Sequence, residues 1–241
     1  MKRIQTVIGV ACVLLALAAP VRAQDRELIT VQSAGDVVEA FSDLSLKAIP
    51  PALMQDAAGV AVVPRVFKAG FVIGGRFGRG VVLVRRRDGS WTNPVFITLA
   101  GGGVGWQVGV QSTDVVLIFK TRDSLDRILN GKDKVTLGAD VAVAAGPAGR
   151  SAAAATDAQL GAEIFSYSRS RGLFAGLSLE GAGLLVDGDA NEAFYGVHGG
   201  RPADVLGLPP SSAEEVQRLK DRLGALAGPP PAPPILLPPG R

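Results

Sequence analysis

Between Val60 and Ser90 the chain carries Arg65, Lys68, Arg76, Arg79, Arg85, Arg86 and Arg87, against Asp88 alone. Phe67, Phe71 and Phe77 interleave with these cations. Clustered Lys and Arg near a lipid surface each contribute about 1 kcal/mol of attraction to anionic head groups. Aromatic rings set among them could enter the interface. The same residues also fit a solvated strand face above ordinary core phenylalanines. Strand alternation limits the first reading, because Arg85 and Arg87 must point away from Arg86.

Other candidate chemistry is sparse. His198 is the single histidine and Cys12 the single cysteine, so zinc-type ligand sets are not expected. A Ser-His-Asp system would have to use His198, and no G-x-S-x-G is present. Gly131-Lys132 is followed by Asp133, where a P-loop needs Ser or Thr. Gly101-Gly102-Gly103-x-Gly105 lacks the third glycine of a dinucleotide fingerprint. Asp187-x-Asp189-x-Asn191 resembles the opening of a calcium loop, but Glu192 stands at the glycine position and His198 at the bidentate glutamate position. A polar turn is the expectation there. No enzyme, cofactor or metal is expected.

The first 23 residues read as a signal peptide. Lys2 and Arg3 form a basic start, Val7 to Ala19 an apolar run, and Val21-Arg22-Ala23 a small-residue cleavage site. The apolar run is short of the ~20 residues of a spanning helix. Cys12 lies within that run, where a lipidated cysteine would follow it. Cleavage after Ala23 would remove Lys2, Arg3 and Arg22, leaving 22 of the 25 basic residues against 22 acidic ones. The formal net charge of +3 then falls to zero, and general affinity for nucleic acid is not expected. An exported bacterial envelope protein, in the periplasm or peripheral to a membrane, fits these features.

The elements that would hold the basic stretch are short β-branched runs broken by glycine. Val60–Val63, Phe71–Ile73 and Val81–Val84 read as strands. Asp88-Gly89 reads as a hairpin turn with positive φ at both residues. So many glycines imply bulges, sharp bends or close backbone approach, hence a curled antiparallel sheet. Leu28, Val31, Ala34, Val38, Phe41 and Leu44 recur at helical spacing over Asp25–Lys47, an apolar stripe of the kind that packs on a core. Ala52–Ala58 can form a short helix with Pro51 at its first position, and Thr121–Gly131 a third. Asp114–Phe119 is a buried-type strand. A second β-rich half runs from Val135 to Val186, with alternation over Glu163–Ser170. In that half, Ser151–Ala155 is either strand or loop. Pro209-Pro210-Ser211 opens a last helix with Ser211 and Glu214 as a capping box, burying Val216, Leu219, Leu223 and Leu226. Gly228–Arg241 is a proline-rich, extended tail.

Several of these residues, in order, carry a resemblance. They are Pro64, Gly78-Arg79-Gly80-Val81, Trp91 with Pro94, Gly102-x-x-Gly105-x-Gln107-x-Gly109 and Asp114-Val-Val. Then come Leu137-Gly138-Ala139-Asp140, Gly146-Pro147-x-Gly149-Arg150, Tyr167-Ser168 and Asn191-x-x-Phe194-Tyr195-Gly196. Over roughly Leu44 to Gly196 the chain resembles the SYLF domain, a lipid-binding family related to yeast actin-patch regulators. That resemblance implies phospholipid or phosphoinositide binding. In a bacterial envelope the expected ligand is anionic phospholipid, and neither actin-related nor adaptor activity is carried over.

The expectation is therefore an α+β fold: a glycine-rich, strongly curved, barrel-like antiparallel sheet with flanking N-terminal, middle and C-terminal helices. Residues 1–23 are the signal peptide, 24–208 a SYLF-like lipid-binding domain, 209–227 a C-terminal helix and 228–241 the tail. The expected function is non-catalytic binding of an anionic phospholipid membrane surface through Arg65, Lys68, Arg76, Arg79, Arg85 and Arg87. The alternative is a structural envelope scaffold, or an outer-membrane-associated β protein without lipid specificity. Trp91, Trp106, Tyr167 and Tyr195 are too few for the aromatic girdles of a spanning barrel.

Overall fold

A computed structural model describes residues 19–42, 49–130, 134–146, 161–171, 179 and 181–228. Helix α1 spans Ala19–Ser42 and α2 Pro51–Gln55. Two long strands follow, β1 at Gly59–Val84 and β2 at Val95–Phe119. Helix α3 is Arg122–Asn130, and the short strands β3 and β4 are Val135–Thr136 and Val143–Ala145. Strand β5 is Ile164–Arg171 and β6 Gly183–Val186. Three helices close the order: α4 Gly188–Tyr195, α5 Pro202–Gly207 and α6 Glu214–Ala227. The fold is α+β, with the strands in one strongly curved half-barrel sheet.

The curvature comes from one long ribbon folded in half. β1 and β2 pair antiparallel from Gly59 opposite Phe119 to Val82 opposite Val95. Within that ribbon β1 also turns back on itself, near its middle. The Arg85 amide donates to the Ala58 carbonyl (2.9 Å), joining the two ends of the strand. Gly78 and Gly80 lie against Val63, and a Cβ at Gly80 would collide with the Val62 carbonyl and sit 2.8 Å from Val63 Cα. Glycine is needed there because two limbs of one strand run backbone to backbone. The first half of β2 pairs β6, which pairs β3, while its second half pairs β5. Strand β4 runs parallel to β5 at one edge.

Both faces of this sheet are covered, which explains the continuous apolar runs. Val60, Val62, Val81, Leu83, Phe96, Val116 and Ile118 pack under α1, α2, α4 and α6. Ala61, Val63, Val82, Val84, Val95, Ile97, Val115 and Leu117 pack against α3 and α5. The α6 stripe is Val216, Leu219, Leu223 and Leu226, all buried, and burying each such side chain stabilises by about 1.5–3 kcal/mol.

Three local expectations change. The hairpin between β1 and β2 has positive φ at Gly89 but not at Asp88. Gly89 donates to the Arg86 carbonyl (3.0 Å) and Arg86 to the Ser90 carbonyl (2.8 Å). That is a three-residue loop with one left-handed glycine, the form that suits a right-twisted ribbon. Helix α6 starts at Glu214 without a side-chain cap, and Ser211 Oγ accepts from the Ala213 amide instead of capping the helix. Asp187 is not in a polar turn: its carboxylate accepts from the Ala190 amide (3.1 Å) and caps α4. Ser151–Ala155, the proline-rich tail and most of the signal sequence lie outside the described residues.

Candidate functional site

The geometry of the basic stretch begins with a bulge. Between Val63 and Val66 the β1–β2 register shifts by one residue, at Pro64-Arg65. Arg65 there has φ 48°, the positive-φ non-glycine residue among those described. Asp114, 1% exposed, holds the bulge: Oδ1 accepts from the Arg65 amide (3.0 Å) and Oδ2 from Arg169 Nη2 (2.9 Å). A charged acceptor on a buried amide is stronger than a neutral one, and here it offsets the cost of the left-handed backbone. The extra residue returns Val66 to the face of Ala61 and Val63 and turns Phe67 toward the α1 side.

Beyond the bulge the ribbon projects past its covering helices. Phe67 is 54% exposed and Phe77 51%. Alternation from Val66 and from Val81 puts both rings on the α1 face of the folded end. Ile29 of α1 is also exposed. It lies one helical turn before Ser33, whose Oγ accepts from Arg65 Nη2 (3.1 Å), and residues four apart share a helix side. Lys68 and Arg76 neighbour the two rings in sequence and point to the opposite face, Lys68 exposed and Arg76 half-buried. Burial holds the Arg76 guanidinium below its usual pKa. The side chain of Phe71 lies outside the described residues.

Arg79 differs from its neighbours. It lies beneath the N-terminal part of α1, with Nη2 4.0 Å from Asp187 Oδ2. Glu27 of α1, 2% exposed, joins this group. Burial raises the Glu27 carboxyl above its usual range, against the lowering pull of Arg26 and Arg79. Arg79 thus pairs with the Asp187 cap of α4 and lends its charge to Glu27 of α1.

Arg85, Arg86 and Arg87 are at the other end of the ribbon. From Arg76 to Arg85 the strand covers about 30 Å at ~3.3 Å per residue. Arg85 Nη1 donates to the Met54 carbonyl (2.6 Å), and its guanidinium lies 5.4 Å from the Trp91 ring centre. Arg87 is exposed in the turn. The single basic face expected from sequence is therefore two groups: Arg65, Lys68 and Arg76 at the folded end, and Arg85–Arg87 at the hairpin end.

Sequence reasoning passed over several residues that order these ends. Asn191 is wholly buried: its Oδ1 accepts from the Phe96 amide (2.8 Å) and its Nδ2 donates to the Gly200 carbonyl (3.0 Å). Tyr195 donates to the Pro94 carbonyl (2.7 Å), and Phe194 meets Phe96 edge-on at 5.2 Å. These residues staple α4 to β2. The available signal was Asn191-x-x-Phe194-Tyr195, quoted above only for the resemblance. Lys220, remote in sequence, reaches Asn93 Oδ1 at 3.2 Å beside the hairpin end. Among the described residues no group of three or more His, Cys, Asp or Glu could hold a metal ion. No helix among them is long and apolar enough to cross a membrane.

A family model described as Ysc84, Las17-binding protein actin regulator, matches residues 100–226. LAS seventeen-binding protein 3 of Saccharomyces cerevisiae is 45% identical over 150 residues, 61% of this chain and 32% of the relative. SH3 domain-containing protein PJ696.02 of Schizosaccharomyces pombe is 39% identical over 171 residues, 68% of this chain and 39% of the relative. SH3 domain-containing YSC84-like protein 1 of Xenopus laevis is 35% identical over 198 residues, 79% of this chain and 58% of the relative. The chain thus spans less than two thirds of the length of each. No solved structure matches it.

Proposed function

The chain belongs to the Ysc84, or SYLF, family, and from that premise we propose that it binds anionic phospholipid at a membrane surface, without catalysis, through the folded end of its ribbon. The observation that carries this reading is the pair Phe67 and Phe77, both half-exposed on one face of a projecting strand end. Lys68 and Arg76 flank them in sequence on the opposite face of the same end, with Arg65 just behind. Exposed aromatic rings cost little in such a place if they enter the head-group boundary, while the cations remain with the phosphates. Arg79 and Arg85 are left out of the contact because Asp187 and Trp91 already engage them. The setting proposed is the envelope of a bacterium, after export and removal of residues 1–23.

The names of the family and of its yeast relative are those of a regulator and of a binding protein for Las17. A protein partner is the competing occupant of the same surface. Flotation of the chain from Gln24 onward with neutral or anionic vesicles, in a salt series, separates the two. Binding should require anionic lipid, weaken with salt, and fail in Phe67→Ser/Phe77→Ser and in Lys68→Glu/Arg76→Glu. A folded protein that ignores anionic vesicles would end the lipid reading and favour a protein ligand.

A further inference from the structure

The hairpin end holds cations that the lipid contact does not use. Elsewhere arginines face carboxylates: Arg222 meets Asp36 and Glu39, Arg169 meets Asp114, Arg201 meets Asp204, and Arg218 meets Glu214 and Glu215. At the hairpin end the acceptors are neutral. Arg86 Nη1 donates to the Trp91 carbonyl (3.3 Å) and Lys220 Nζ to Asn93 Oδ1 (3.2 Å). Asn93 is itself buried and fixed, donating to the Pro209 carbonyl (2.9 Å) and accepting from the Ser211 amide (2.9 Å). Arg85 is bound to the Met54 carbonyl, and Arg122 to the Arg85 carbonyl. Among the described residues neither Arg86 nor Lys220 forms an ion pair with a carboxylate.

Positions are thus fixed by neutral acceptors, and the acid whose charge Arg86 feels is Asp88, which forms no ion pair with it. Arg86 and Lys220 come from elements far apart in sequence, and the fold fixes them on acceptors two residues apart, the Trp91 carbonyl and the Asn93 side chain. Burial first, and the Arg86 charge second, push the Lys220 ammonium below its usual pKa. Asp88 is the nearby acid. It is fully exposed in the turn, and its Oδ1 is taken by the Ser90 amide (2.9 Å) and hydroxyl (2.7 Å). Like charges gathered by neutral acceptors disfavour the empty site and favour a bound anion, because oriented donors then need no reorganisation.

We propose that Arg86 and Lys220 form an anion-binding site at the hairpin end that takes a phosphate group, distinct from the aromatic end. A guanidinium offers a planar fork and an ammonium three movable donors, a pairing suited to a phosphate dianion. A soluble phosphate compound and a lipid headgroup both offer that group, and the chemistry is the same for both.

The test is calorimetric titration of the full chain with inorganic phosphate at low ionic strength, against Arg86→Gln, Lys220→Met and Lys220→Arg. Saturable binding should weaken at least tenfold in the first two variants, persist in Lys220→Arg, and be unchanged in Phe67→Ser/Phe77→Ser. Removing one charge should also raise Tm in phosphate-free buffer and abolish the stabilisation that phosphate confers, an effect that a misfolded variant would not produce. Vesicles of phosphatidylcholine with phosphatidylglycerol identify the source: Lys220-dependent flotation of the Phe67→Ser/Phe77→Ser variant means a headgroup, and its loss with phosphate binding retained means a soluble phosphate. No saturable response to either probe, or a response that Arg86→Gln and Lys220→Met leave intact, overturns the site. Loss of flotation in the phenylalanine variants alone bears on the aromatic end only.

Discussion

Asp114 should be the residue on which the geometry of the folded end depends, and its substitutions can be graded. In Asp114→Ala the Arg65 amide loses its acceptor beneath a left-handed residue, a deficit of about 1–3 kcal/mol for a buried donor. Arg169 loses its carboxylate as well. Breaking a buried pair costs about 3–5 kcal/mol, and the 30% exposure of the Arg169 side chain puts this one at or below the lower end. The two losses share one site and do not simply add, so about 4 kcal/mol is expected. Asp114→Asn keeps an acceptor for Arg65 but turns an amide donor toward Arg169 in place of the second oxygen, for about 2 kcal/mol. Urea denaturation reads both, and Asp114→Asn/Arg169→Met should cost less than the sum of its single changes. Asp114→Ala should also weaken vesicle flotation, because a lost bulge turns Phe67 to the other face. Equal destabilisation by Ala and Asn, or less than about 1 kcal/mol for Ala, would refute the claim that this carboxylate holds the bulge.

Glu27→Gln should stabilise the protein at neutral pH, because the folded-state pKa is raised by burial and the charged form is therefore disfavoured. The sign follows from linkage. The stability tied to a protonated Glu27 is full below its unfolded pKa and is lost as pH rises through the folded one. Tm measured from pH 4 to 8 should fall with rising pH in the parent more than in the variant, and parallel curves would contradict this. Gly80→Ala should cost about 3 kcal/mol or more, since its Cβ meets backbone that cannot swing aside; a Tm within 2 °C of the parent, on the order of 1 kcal/mol or less, would mean that the two limbs of β1 are not in contact. Tyr195→Phe should cost about 1 kcal/mol for the bond to Pro94. Arg85→Ala should cost about 1–2 kcal/mol through Met54 and Trp91 and leave flotation intact.

Much of the scaffold was legible because local signals agreed. The α6 stripe, Pro51 at the head of α2, and the strand start at Gly59 were all carried by spacing and punctuation. The buried strand over Asp114–Phe119 was visible as an unbroken apolar run. The fold-back of β1 was not, because a strand that pairs with itself has the same alternation as one that runs on. That bend brings Arg76 back toward Lys68, while the extended limb from Arg76 to Arg85 sets those two at opposite ends. Helix α4 was missed because it is short and begins on Gly188, and Asp187 caps it with the residue type that also marks turns. Lys220 could not be linked to Arg86 without the tertiary fold.

A strand that is its own neighbour also constrains how the chain can change length over generations. Val62 faces Val116 on one edge and the Gly80 backbone on the other. One residue gained between Val60 and Val63 would put both seams out of step, and the helices on both faces would lose their seats. The same gain between Gly70 and Val72 falls where the register with β2 already shifts, and lengthening the chain there costs little. Insertions and deletions should therefore gather at the tip that carries Phe67 and Phe77, while the limbs keep their count. Lineages could reshape the outward-facing end freely without re-founding the body behind it.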